Sequence, residues 1–114
     1  MDELLRTALR DAIKIAIQSH LPYVSTLSRR LHEEGGVEES VLDDVNDLAM
    51  DMAIAKHMEK LTPEYARAMA EKMNGFASIY AQACKHYANQ ILVQAVINSF
   101  RLLAVQLMEA AKIL

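Results

Sequence analysis

Seventeen of the 24 residues from Ile91 to Leu114 are apolar, and no glycine or proline interrupts them. Such a stretch reads as a helix that needs burial on more than one side. A chain of 114 residues has few other elements to provide that burial. The sequence therefore predicts a single all-α domain over residues 1–114, bundle-like, with its core completed by oligomerisation. The residues expected to bury against a second chain are Ile91, Leu92, Val96, Phe100, Leu103, Leu107 and Met108.

The rest of the chain reads as a helical hairpin followed by one long or bent C-terminal helix. Apolar pairs recur every four positions from Leu4/Leu5 to Ala16/Ile17, giving a broad apolar face with the small residues Ala8, Ala12 and Ala16 in one row. Pro22 predicts a kink or break near His20–Leu21, because proline lacks the amide donor and disfavours α geometry before it. Gly35-Gly36 marks a helix stop. A second helix is predicted from about Val37 to Lys60, with Val41, Val45, Leu48, Met52 and Ala55 facing the core. Thr62-Pro63-Glu64 has the form of a helix start: an N-cap threonine, proline in the first turn and an acid beside it. The periodicity continues through Gly75, since a lone glycine costs a helix only about 1 kcal/mol against alanine. Whether residues 63–114 form one helix, or two with a bend near Asn89 or Asn98, is left open by the pattern.

Only three glycines and two prolines occur, which favours helix over sheet. The net charge of −3 lacks the phosphate-neutralising excess of a general nucleic-acid binder. Arg6, Arg10 and Lys14 do form a basic stripe one turn apart, but no aromatic residue is interleaved for base stacking. Cys84 is the one cysteine, so no internal disulfide forms, and a reducing compartment is expected. No signal peptide is apparent at the start, and a cytoplasmic location is the expectation. The polar residues Gln94, Asn98, Arg101, Gln106 and Glu109 inside the last helix count against a membrane span.

The densest chemistry-bearing cluster is Asp43-Asp44-Val45-Asn46-Asp47, followed by Asp51. On a helix, Asp43, Asp47 and Asp51 fall one turn apart, with Asp44 beside them. Carboxylates so placed can hold Mg²⁺ and leave room for a phosphate. Asp44/Asp47 together with Glu71/Asn74 resembles the paired acidic i,i+3 motifs of MazG-like nucleotide pyrophosphatases. Aspartates stand where that family has glutamates, and Asn74 replaces an acid. The resemblance implies an Mg²⁺-dependent phosphohydrolase with Asp43, Asp44, Asp47 and Glu71 around the metal. The alternative for the cluster is a solvated acidic face, or one that meets the basic stripe of another subunit. Within one chain, Arg29 or Arg30 is the expected neighbour of Asp43.

His20, His32, His57 and His86 show neither Glu-x2-His nor His-x3-His spacing, which excludes a ferritin-like di-iron site. Cys84 sits in an apolar seam and reads as an inert buried thiol. These residues together point away from an enzyme and from any cofactor. The expectation is a helical protein–protein interaction module (adaptor, inhibitor or assembly subunit) that forms a homo-oligomer and has room for a protein partner. A secretion or filament assembly component is the structural variant of that reading.

Overall fold

The computed structural model describes residues 2–57 and 61–113; the side chains of residues 55–57, and Lys60 and Leu114 among the residues considered above, lie outside that description. Four α-helices follow one another: α1 (Glu3–Glu33), α2 (Glu39–His57), α3 (Pro63–Ala83) and α4 (Gln90–Ile113).

Local sequence explains most of the boundaries. Asp2 caps α1 by accepting a hydrogen bond from the Leu4 amide at 3.0 Å. At its other end, the Gly35 amide donates to the His32 carbonyl and the Gly36 amide to the Leu31 carbonyl, both at 2.9 Å. That paired arrangement needs a left-handed residue after the cap, and Gly35 has φ +86°. Gly36 is needed for space instead, because a Cβ there would lie 2.6 Å from Leu31 Cδ1. Thr62 caps α3 through the Tyr65 amide at 3.1 Å, with Pro63 in the first turn.

The turn after α1 and the turn after α3 lie at the same end of the molecule, where the Tyr87 hydroxyl donates to the Glu34 carbonyl at 2.9 Å. The α2–α3 connection therefore lies at the opposite end, and the helices run up, down, up and down. Helix α4 packs along α3 and along α1, and α1 packs along α2. The consecutive helices α2 and α3 do not pack closely along their length, so the bundle is open on that side.

Phe100 is fully buried at the centre of the core. Its ring stacks on Phe76 at 5.5 Å between centroids and meets Tyr80 edge-on at 5.2 Å. Val45, Leu48 and Met52 of α2 are buried, as their spacing predicts, and Val41 packs partly against the core.

Two expectations change and one open question is resolved. Helix α1 runs unbroken through Pro22. Pro22 faces solvent and the carbonyl it leaves without a partner, that of the exposed Gln18, opens to water. Ile17, Leu21 and Val24 on the opposite side are buried and hold both halves against one core. Second, the question left open for the last part of the chain closes as two helices, α3 and α4, separated at 84–89, at the bend expected near Asn89. Asn89 starts α4, its side-chain oxygen accepting from the Leu92 amide at 3.2 Å. Third, among the described residues neither Arg29 nor Arg30 forms an ion pair with Asp43; Arg30 pairs with Glu34, one turn on, at 3.3 Å.

The burial that α4 demands is met within the chain. Leu92, Val96, Phe100, Leu103 and Leu107 all lie in the core of the bundle, between α1 and α3. Of the seven residues assigned to an intermolecular seam, Ile91 and Met108 are the two left exposed, at 87% and 42%.

Candidate functional site

The open side between α2 and α3 forms a groove with a volume of about 440 Å³. One wall is the face of α2 that carries Asp44, Asp47 and Asp51, with buried Leu48 beneath them. Residues three and four apart share a helix face, which is why the acidic run becomes a wall and not a scattered charge. The other wall comes from α3, where Lys72, Gly75, Phe76 and Ile79 recur at helical spacing. Phe76 is half-buried and rests on Phe100, so the groove has an apolar floor continuous with the core. Gly75 leaves the α3 wall bare, and a Cβ placed there would meet no atom within 4 Å.

Asp51 closes the end of the groove towards the α2–α3 connection by accepting from the Tyr65 hydroxyl at 3.0 Å. Burial first, and then this carboxylate, push the Tyr65 hydroxyl well above the ordinary phenol range. Among the described residues the ion pairs are Arg30–Glu34, Arg67–Glu64 and Lys112–Glu109, each between residues three or four apart in sequence. None involves the groove aspartates or Lys72.

The acidic cluster is thus divided. Asp44 and Asp47 line the groove, whereas Asp43, Glu71 and Asn74 are exposed and are not among its walls. Among the described residues no three Asp, Glu, His or Cys side chains gather closely enough to hold a metal ion. Asp43, Asp44, Asp47 and Glu71 therefore do not form one ligand set in this structure.

The remaining candidates are structural in their contacts. His20 Nδ1 lies 2.8 Å from Gln106 Oε1, tying α1 to α4, and His32 Nδ1 lies 2.9 Å from the Val37 carbonyl. His86 is exposed. The Cys84 thiol is buried, points to the Gly36 carbonyl at 3.3 Å, and is pushed up in pKa by burial, opposite to what a nucleophile needs. Arg10 and Lys14 are half-buried and lie, with Asp11, against the α2–α3 connection near Thr62 and Pro63; Arg6 is exposed.

The second surface feature is apolar. Leu4, Leu5, Leu9 and Ile15 are exposed, Leu4 at 77% and Ile15 at 62%. At about 100° per residue they share one side of α1 within an arc of about 140°. Ala8 and Ala12 lie between them and are also exposed. This is the opposite side from Ile17, Leu21 and Val24, so α1 carries two apolar faces and its own bundle covers one. The paired pattern from Leu4 to Ile17 signalled that breadth in the sequence. By length and hydropathy α4 would also suffice to cross a membrane, yet it packs in the bundle against α1 and α3.

No protein family, curated protein or solved structure matches the chain. Function has to be read from its own residues.

Proposed function

We propose that the protein is a non-enzymatic helical interaction module that self-associates, acting as an assembly subunit. The observation that carries this reading is the outward apolar side of α1, formed by the exposed Leu4, Leu5, Leu9 and Ile15, while the same helix from Ile17 on buries its other side. Exposed apolar residues scattered singly need no explanation, but a contiguous side of one helix does. The exposed Leu102, Val105 and Met108 of α4 add a second apolar element to the outer surface.

The seam expected from the sequence moves accordingly. Leu92, Val96, Phe100, Leu103 and Leu107 serve the internal core, and association falls to outward residues, foremost those of α1. The acidic cluster is divided and the Cys84 thiol is buried with its pKa pushed up, so among the described residues neither supports a catalytic reading over this one.

The test is a variant with Leu5→Asp and Ile15→Asp. Both sites are exposed, so helicity and thermal stability should remain close to those of the parent chain. Association measured by small-angle X-ray scattering should be lost. Unchanged scattering mass in the variant would overturn the proposal for this face.

A further inference from the structure

Arg10 and Lys14 stand one turn apart on the side of α1 that meets the start of α3, and both are half-buried. Among the described residues neither enters an ion pair. The Nε of Arg10 is shielded from water and has no hydrogen-bond partner among them either. Native folds seldom leave a buried donor unmatched, and each such group calls for a physical reason. Both side chains line a pocket with Thr62 and Pro63, the cap and the first residue of α3, where the helix dipole has its positive end. Two cations and a helix N-terminus thus converge on one pocket with a volume of about 450 Å³. Asp11 also lines it, yet forms no ion pair with Arg10 or Lys14 among the described residues. Glu64, in the first turn of α3, pairs with Arg67 at 3.7 Å instead.

We infer that this pocket binds a small soluble molecule through a phosphate group held between Arg10 and Lys14. The inference is independent of the self-association reading. A guanidinium is a planar fork that takes two oxygens of a phosphate, and a lysine adds a compact point charge. An oxyanion seated there offsets the repulsion between the two cations. It also supplies the acceptor that the Arg10 Nε lacks, the flexible side chain turning that edge towards it. A phosphate monoester carries nearly two negative charges at neutral pH, which matches two cations. Thr62 Oγ1 accepts from the Tyr65 amide and keeps its own proton, so this hydroxyl can donate to a phosphate oxygen. The volume is that of a site for a small organic ligand, with Leu61 and Pro63 to meet its apolar part. On the wheel at about 100° per residue, the lining residues of α1 occupy a sector apart from Leu4, Leu5 and Leu9. A bilayer resting on that apolar side would not bring its headgroups into the pocket, so the phosphate comes from a soluble molecule.

The test titrates the full-length chain with phenyl phosphate and with inorganic pyrophosphate by isothermal titration calorimetry. The parent should bind at least one of these probes. Arg10→Gln and Lys14→Gln should each weaken that binding by about tenfold or more, with melting temperatures close to that of the parent. Asp11→Asn removes a competing negative charge from the pocket and should strengthen it. Arg29→Gln changes an exposed arginine far along α1 and should leave it unchanged. A parent that binds neither probe, or an Arg10→Gln variant that binds as well as the parent, would overturn the inference. So would an Arg29→Gln variant weakened by the same factor, since that result reports general attraction of anions to the chain. Capture of the parent on phosphatidic acid vesicles, with no response to the soluble probes, would assign the phosphate to a lipid headgroup and overturn the soluble source.

Discussion

The Tyr87 hydroxyl shares its one proton between the Glu34 carbonyl at 2.9 Å and the Glu34 carboxylate at 3.2 Å, joining two turns that lie 53 residues apart in sequence. Asn89 donates to the same carboxylate at 3.3 Å, and Arg30 pairs with it from the preceding turn. One acidic residue at the end of α1 thus fastens the α3–α4 turn, and with it the start of the most apolar helix. Tyr87→Phe removes this shared hydrogen bond and should cost about 1 kcal/mol. Thermal melting should register this as a loss of a few degrees in Tm. An unchanged Tm would mean that water replaces the tyrosine at no cost.

The same corner should respond to acid. The Asn89 hydrogen bond, followed by Arg30 and Tyr87, holds the Glu34 carboxyl below its ordinary value, against a smaller opposing effect of burial. A carboxyl whose pKa is depressed on folding stabilises the fold above its unfolded pKa, and that contribution is lost as pH falls through the folded one. Melting curves recorded from neutral pH to below the usual carboxylate range should show this loss. Glu34→Gln should flatten the acid limb of that profile, and a parallel limb in the variant would assign the acid response to other carboxylates.

Phe100 fills the centre of the bundle between Phe76 and Tyr80. Phe100→Ala should cost about 3–5 kcal/mol, the range for truncating a buried aromatic. Against a total stability of about 5–15 kcal/mol that is a large share, and chemical denaturation should show a strongly lowered midpoint. A loss below about 1 kcal/mol would contradict this account of the core.

The glycines should separate by sign. Gly36→Ala forces a Cβ against Leu31 Cδ1 and should destabilise, whereas Gly75→Ala adds a methyl in open space and should stabilise by about 1 kcal/mol. Denaturant midpoints of the two variants should move in opposite directions. A destabilised Gly75→Ala would show that this groove wall is packed in the free chain.

Much of this architecture was legible in the residues. Thr62-Pro63 and Gly35-Gly36 announce helix ends because capping chemistry is local, and Val45, Leu48 and Met52 announce a buried seam because periodicity is local too. The break expected at Pro22 fails for the opposite reason. Its effect depends on whether the freed carbonyl meets water or core, which only the packed bundle decides. The break at 84–89 was hard to place because no proline occurs there; Asn89 as the cap of α4 was the available signal. Leu92, Val96, Phe100, Leu103 and Leu107 show the deeper limit. Their spacing says that a helix face is buried, and it does not say whether the cover comes from the same chain or from another. For the groove, Asp44, Asp47 and Asp51 were visible as a stripe, but Lys72, Gly75 and Ile79 become its opposite wall only because α2 and α3 stand apart.

The measurement that bears most directly on the central claim is the solution mass of the full-length chain by light scattering across a wide concentration range. The chain mass is 12.8 kDa. Self-association through the outward side of α1 predicts a mass that rises with concentration to a multiple of that value. A mass that stays at one chain throughout would contradict the account, and the apolar side of α1 would then need a different occupant.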